Sequence, residues 1–303
     1  MTPVTAIRAA TFDQLPAGLA GELADAGLDA RILYSDVVAA LAEDLPGDDV
    51  TSWATIPAEQ VQTADFVARQ SGTVAGLGVA ELVFRYVLGD IEVDRPVRDG
   101  SAVAKGDVLL TVTGPTALLL TAERTALNYA CHLSGVATAT AAWVRALEGT
   151  GARVRDTRKT IPHFRDLEKY AVRCGGGVNH RHSLSDMALV KDNHVLAAGG
   201  VVAAYELIRE RYPSVPVQVE VDSLDQLREL LEIGVEQILL DNMDTDQLTE
   251  AVAITAGRAQ LEASGGLTLD VAAEVGATGV DFLAVGALTH SAPVMDIAMD
   301  LRP

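Results

Sequence analysis

The second half of the chain alternates short apolar runs with amphipathic stretches. The runs fall at Ala152–Arg155, Met187–Val190, Val217–Val221, Gln237–Leu240, Gln260–Ala263 and Phe282–Val285. Helical patterns fill Val201–Arg211, Leu224–Ile233, Thr245–Thr255 and Leu267–Val275. Strand, loop and helix recurring in this way predict a parallel β/α sheet or barrel. The first half reads differently. Between Gln62 and Val112 the apolar positions alternate in period two and turn at glycines, on either side of a helical "GVAELVFRYVLG", which predicts an α+β segment. Pro115 to Leu147 is helical in character, with one long helix over "TALLLTAERTALNYACHLSG". Val37, Val38 and Leu41 predict a helix from Tyr34 to Glu43, stopped by "EDLPGDDVTS". Residues 1–30 are Ala-rich and weakly patterned, a short helix or a loose arm. The "DGSAVAKGDVLL" piece has the outline of a lipoyl-carrier hairpin, but Lys105 is not flanked as a modified lysine would be, so a plain structural hairpin is expected.

Composition narrows the class. A chain of 303 residues with 49% hydrophobic content can build one large or two smaller cores. A net charge of −19 speaks against nucleic acid or anionic lipid as partners, since both demand a basic footprint. Cys131 and Cys174 form neither a CxxC pair nor a metal-ligand cluster, which fits a reducing compartment. The longest apolar candidate, "VLLTVTGPTALLLTA", is broken by Gly114-Pro115, and Asp13, Glu22, Asp25 and Asp29 interrupt any signal-peptide core. No membrane association and a cytoplasmic location are expected.

Candidate chemistry collects where the apolar runs end. They are followed by Asp156-Thr157-Arg158-Lys159, by Lys191-Asp192-Asn193-His194, by Glu220 and Asp222, by Asp241-Asn242, by Ser264-Gly265-Gly266, and by Gly286 and His290. In β/α barrels the C-terminal strand ends build the active site. Any one of these residues could be a helix N-cap, but six successive units share the feature. Residues 151–191 hold nine Lys/Arg against four Asp/Glu. Arg165, Glu168, Lys169 and Arg173 have the spacing of a solvated helix face and are set aside. Arg158, Lys159, His180, Arg181 and Lys191 remain, and such a cluster calls for a small, highly anionic ligand. Gly265-Gly266, between strand and helix, suits a phosphate cradle. Gly175–Gly177 either let the chain approach closely and aim Asn179, His180 and Arg181 inward or form a flexible helix C-cap. Glu220 and Asp241 read as a Mg²⁺ site, with paired acid/base work as the competitor.

The blocks "LLTAERTALN…LSGVATAT", "RDTRKT", "KYAVRCGGGVNHR", "LVKDNH", "VEVDS", "LLDN", "ASGGL" and "VGALTHS", in this order, closely resemble the quinolinate phosphoribosyltransferase family, the decarboxylating nicotinate-nucleotide pyrophosphorylases of NAD biosynthesis. "EDLPGDDVTS" and "SGTVAGL" look like that family's N-terminal domain. The resemblance spans roughly residues 31–300. It implies an α/β fold: an incomplete, seven-stranded β/α barrel with an N-terminal open-faced α/β sandwich domain. The implied division is an arm at 1–30, a sandwich domain at 31–132 plus 289–303, and a barrel at 133–288. The implied reaction joins quinolinate to 5-phosphoribosyl 1-pyrophosphate (PRPP), giving nicotinate mononucleotide, pyrophosphate and CO₂ with Mg²⁺, in a cytoplasmic homodimer with shared active sites. By resemblance, Arg124 reaches in from the partner subunit and joins Arg158, His180, Arg181 and Lys191 around quinolinate. Lys159 and Lys191 meet pyrophosphate. Glu220 and Asp241 hold Mg²⁺. Ser264, Gly265, Gly266 and Gly286 take the 5-phosphate. Lys159, Lys191, Glu220 and Asp241 are the expected catalytic residues.

Departures from the family pattern are His163, where a Gly often follows the Pro, and "HSLSD" after "NHR", with His182 and Ser183. They leave room for a re-specialised or non-catalytic paralogue that binds another pyridine carboxylate or anion. A Schiff-base lyase using Lys159 or Lys191 is the other enzyme class, disfavoured by the density of cations.

Overall fold

The structure, a computed structural model, describes residues 7–303. A 3-10 turn at Phe12–Gln14 precedes α1 (Ala17–Asp25), α2 (Ala30–Asp44) and α3 (Val50–Thr55). Asp29 starts α2 by accepting from the backbone N–H groups of Arg31 and Ile32, and Asp49 starts α3 by accepting from Ser52. Next come β1 (Val61–Ala68), β2 (Gly72–Thr73), α4 (Leu77–Leu88), β3 (Glu92–Asp94), β4 (Ala102–Val103), β5 (Val108–Pro115) and α5 (Thr116–Ala146). The chain continues with β6 (Arg153–Arg155), α6 (Arg165–Cys174), β7 (Ala188–Val190), α7 (Asp192–Ala198), α8 (Val201–Arg211), β8 (Val217–Val221), α9 (Leu224–Glu232), β9 (Gln237–Asp241), α10 (Thr245–Thr255) and β10 (Gln260–Ser264). A 3-10 turn at Leu269–Val271, α11 (Ala272–Ala277), β11 (Phe282–Ala284), α12 (Ala287–His290) and β12 (Ile297–Leu301) complete it.

These elements form two compact units. One holds the chain up to Ala139 with Asp166–Gly175 and Ala292–Pro303; the other holds Thr140–Arg165 and Gly176–Ser291. The first is built on an antiparallel sheet in the order β12-β1-β5-β3. β12 closes one edge through pairs such as Phe66 with Met299, and Arg302 grips Asp65 with two hydrogen bonds of 2.7 and 2.8 Å. Burial covers nearly all of α4, and Phe66 meets Phe84 edge-on at 5.6 Å between ring centroids. The first 30 residues are not a loose arm where they are described: α1 is formed, with Leu19 and Leu23 buried. That expectation for residues 1–6 lies outside the described residues.

The second unit carries a six-stranded parallel sheet in the order β6-β11-β10-β9-β8-β7. All six apolar runs became its strands. Val178 makes one parallel bridge to Arg155 on the free edge of β6, at the place a seventh strand would take. The sheet is strongly curled. In a flat sheet, five strand spacings of about 4.8 Å would separate the Val178 segment from β8 by about 24 Å. His180 nevertheless hydrogen-bonds Gln218 on β8 at 2.8 Å. Polar side chains from both edges therefore meet over one face of the sheet.

Two expectations need correction. Glu168 and Lys169 on α6 do not face solvent: they are 0% and 1% exposed. Glu168 is hydrogen-bonded to His132 on α5 at 2.9 Å. The spacing of charges read as a solvated face because sequence cannot show a partner 36 positions away. The helix expected from Leu267 begins only with the 3-10 turn at Leu269 and α11, so no helix N-terminus directly follows Gly265-Gly266. Among the described residues, no helix is long and apolar enough to cross a membrane.

Candidate active site

β6 delivers its polar tail into a loop braced from within and from α12. Lys159 N–H bonds Thr157 Oγ1 at 3.0 Å, and Thr289 Oγ1 bonds the Lys159 carbonyl at 2.7 Å. Asp156, fully buried at the end of β6, accepts from the His180 N–H at 2.8 Å and from Asn179 Nδ2 at 2.5 Å. It thereby ties the segment after the glycine run to the first strand end. Arg181 follows at once, and its Nη1 donates to the Met187 carbonyl at 2.9 Å.

The cations at this rim lack counter-ions. Among the described residues, Arg158, Lys159 and Arg181 have no carboxylate within ion-pair distance, although the chain has 42 Asp/Glu against 23 Lys/Arg. Burial lowers the pKa of Arg181 below the ordinary arginine value, and the Arg158 charge lowers it further. Two guanidiniums close enough to repel suit an anion between them. Lys191, at the end of β7, differs: its Nζ pairs with Glu220 Oε2 at 2.7 Å.

Glu220, next to last in β8, and Asp241, last in the neighbouring β9, both line one cavity of about 510 Å³ together with Asp192, Asp222 and Asn242. Among the described residues no three His, Cys, Asp or Glu converge as a ready metal cage. Two hard carboxylates with open room in front match what Mg²⁺ takes from proteins when phosphates and waters supply the rest.

The glycines have separate geometric causes. Gly265 has φ +96°, and a Cβ there would stand 2.1 Å from Asn242 Oδ1. Gly266 has φ +60° with nothing within 4 Å of a Cβ, so its backbone borders open space. Gly286 has an ordinary φ of −65°, but a Cβ would meet Lys159 Cδ at 2.8 Å. Its bareness lets the Lys159 side chain cross the end of β11.

The family model for the C-terminal domain of quinolinate phosphoribosyl transferase matches residues 136–300, and that for the N-terminal domain matches residues 49–134. This chain belongs to the quinolinate phosphoribosyltransferase family. It is 53% identical over 268 residues to a nicotinate-nucleotide pyrophosphorylase (carboxylating) of Mycobacterium leprae (strain TN), covering 86% of this chain and 94% of that protein. The crystal structure of NadC from Streptococcus pyogenes is similar with a TM-score of 0.86 at 37% identity, over 93% of this chain and 97% of that one. The nicotinate-nucleotide pyrophosphorylase of Francisella tularensis gives 0.87 at 34% identity, over 90% and 96%.

Of the residues expected from the family resemblance, Arg158, Lys159, Lys191, Glu220, Asp241, Ser264, Gly265, Gly266 and Gly286 lie at or beyond strand ends of the parallel sheet, and Arg181 lies in the segment after the Val178 bridge to β6. Arg124 lies exposed on α5, in the first unit. His180 is buried, and both ring nitrogens are engaged inside the protein.

Sequence reasoning set Arg165 aside as surface. It is instead a half-buried clamp, donating to Thr160 Oγ1 at 3.1 Å, to the His182 carbonyl at 3.2 Å and to the Arg158 carbonyl at 3.5 Å. Nothing in its helical spacing could have revealed acceptors on two loops. Asp156 was visible in "RDTRKT", but its role required knowing that residues 179 and 180 return to it.

Proposed function

We propose that the chain is a quinolinate phosphoribosyltransferase. It transfers the phosphoribosyl group of PRPP to the quinolinate nitrogen, releasing pyrophosphate and then CO₂, and so makes nicotinate mononucleotide for NAD synthesis. The observation that carries the reading is a group of cations without an ion-pair partner among the described residues, Arg158 and Lys159 after β6 and Arg181 after the Val178 bridge to it, in an acidic protein. Quinolinate brings two carboxylates and PRPP two phosphate groups, so the substrates supply the missing anions. Arg158 and Arg181 suit bidentate carboxylate contacts. Lys159 and Lys191 suit the pyrophosphate as mobile point charges. The turn at Ser264-Gly265-Gly266, with Gly286, leaves backbone accessible for the 5-phosphate.

Departure of pyrophosphate builds positive charge at the ribose carbon, and catalysis is mainly positioning and charge stabilisation with no covalent nucleophile. Loss of CO₂ leaves the electron pair of the broken C–C bond on the ring carbon beside the cationic, ribosylated nitrogen, whose charge stabilises it until that carbon takes a proton from water. Glu220 and Asp241 would hold Mg²⁺. When bound, the ion would neutralise phosphate charge and orient the leaving group. Lys191 then exchanges its bond to Glu220 for one to substrate. We further propose a homodimer in which Arg124 of a second copy completes the quinolinate site. Two free cysteines fit a reducing, cytoplasmic setting.

The test is turnover by the purified protein with Mg²⁺, PRPP and quinolinate, following CO₂ and nucleotide together, with nicotinate alongside. Stoichiometric CO₂ and nicotinate mononucleotide from quinolinate alone support the proposal. Folded protein that leaves quinolinate untouched overturns it in favour of a re-specialised paralogue.

A further inference from the structure

The polar groups buried over the parallel sheet form one connected set. Arg155 comes from β6, His180 from the segment after Val178, Gln218 from β8 and Glu262 from β10. Gln218 and Glu262 are each 1% exposed. The Arg181 backbone N–H donates to His180 Nδ1 at 2.7 Å, so Nδ1 acts as an acceptor and carries no proton. The ring proton is therefore on Nε2, which donates to Gln218 Oε1 at 2.8 Å. Glu262 Oε1 stands 3.4 Å from the same nitrogen and has no hydrogen-bond partner of its own. Glu262 Oε2 accepts from Arg155 Nη1 at 2.7 Å, and the Arg155 guanidinium lies 3.9 Å over the Phe282 ring.

Three of the four backbone amides from Val178 to Arg181 are fixed by this arrangement and its neighbours. Val178 N–H bonds the Val154 carbonyl, His180 N–H bonds Asp156, and Arg181 N–H bonds the His180 ring. Neither nitrogen of His180 is left over for a substrate carboxylate. We infer that Gln218 and Glu262 are positioning residues for the anion site: they fix the His180 ring, and the ring fixes the backbone from which the Arg181 guanidinium meets substrate. The inference rests on the quinolinate reading above. In it His180 acts through Arg181 instead of binding substrate as a cation, and the gain is a pre-organised Arg181 guanidinium that binds quinolinate without first having to be ordered.

Two measurements test it on the full-length protein. The first uses ¹⁵N-histidine labelling, with His180→Gln to assign the signal. The wild-type His180 ring is expected to show a protonated Nε2 and an unprotonated Nδ1. The second uses Gln218→Met, which keeps the volume and removes the Nε2 acceptor. Its KM for quinolinate is expected to rise about tenfold, the size of one lost buried hydrogen bond. Its KM for PRPP and its kcat should stay within about threefold of wild type, because only ground-state binding of one substrate is loosened. Glu262→Gln, which removes the charge but not the bulk, should shift the quinolinate KM in the same direction. A wild-type ring protonated at Nδ1 overturns the inference. So do both KM values rising in parallel with a falling thermal midpoint, the mark of a merely structural role. Wild-type protein without turnover sinks the quinolinate reading and this assignment with it, whereas turnover with unsplit KM values sinks only the assignment.

Discussion

His163 holds φ at +66°, in the left-handed region that favours glycine, on an exposed turn closed by the Phe164 N–H to the Ile161 carbonyl. A side chain there costs about 1 kcal/mol. His163→Gly is therefore expected to raise thermal stability by up to about that amount, while His163→Ala, which keeps a Cβ, gains nothing. Paired thermal denaturation of the two variants checks it. The same residue shows what one sequence can convey: the departure from glycine was visible, but its cost became visible only with the dihedral. Cys174 gives a second prediction at this scale. Burial, and then the Asp99 carboxylate, push its thiol up to about 11. A thiolate is the reactive form, so at pH 8 native Cys174 should label with a thiol reagent at least tenfold more slowly than in denaturant. Equal rates would remove the buried environment described for α6.

At the scale of elements, strand ends decide the chemistry and glycines decide what can cross them. Gly286→Ala places a Cβ against the flexible Lys159 side chain, not against backbone. The variant should fold with a thermal midpoint near wild type and lose at least tenfold in kcat, because Lys159 must leave its path over β11. Gly265→Ala is the contrast. Its Cβ would collide with Asn242, and its φ of +96° disfavours any side chain, so loss of stability should accompany loss of activity. The six strands were legible in the sequence because a parallel strand buried on both faces reads as a short apolar run, and α8 and α10 because each buries one face and burial imposes a period. α7 was not: among its residues none is buried, and it lies on the "KDNH" block that reads as pure site chemistry.

At the scale of the whole molecule, Arg124 is the test. It lies exposed on α5 with no ion-pair partner among the described residues, in a unit separate from the strand-end cluster. If active sites are shared between copies, Arg124→Ala and Lys191→Ala should each abolish turnover, and refolded mixtures should recover up to about a quarter of wild-type activity, since a mixed dimer assembles one intact site. No recovery from demonstrably mixed dimers would rule out sharing.

The sequence by itself determined the alternation of strands and helices, the charged residues at the strand ends, and the blocks that carry the family. These depend on local order: periodicity, chain adjacency and residue type. The tertiary structure alone decided which charges are spent. Lys191 turned out to be paired with Glu220, Arg165 to clamp two loops, and Glu168 and Lys169 to be buried. His180 turned out to be locked between Arg181 and Gln218, 38 positions along the chain. Whether a charge is free for a ligand depends on what the curl of the sheet brings beside it, and that distance in space has no counterpart in distance along the chain.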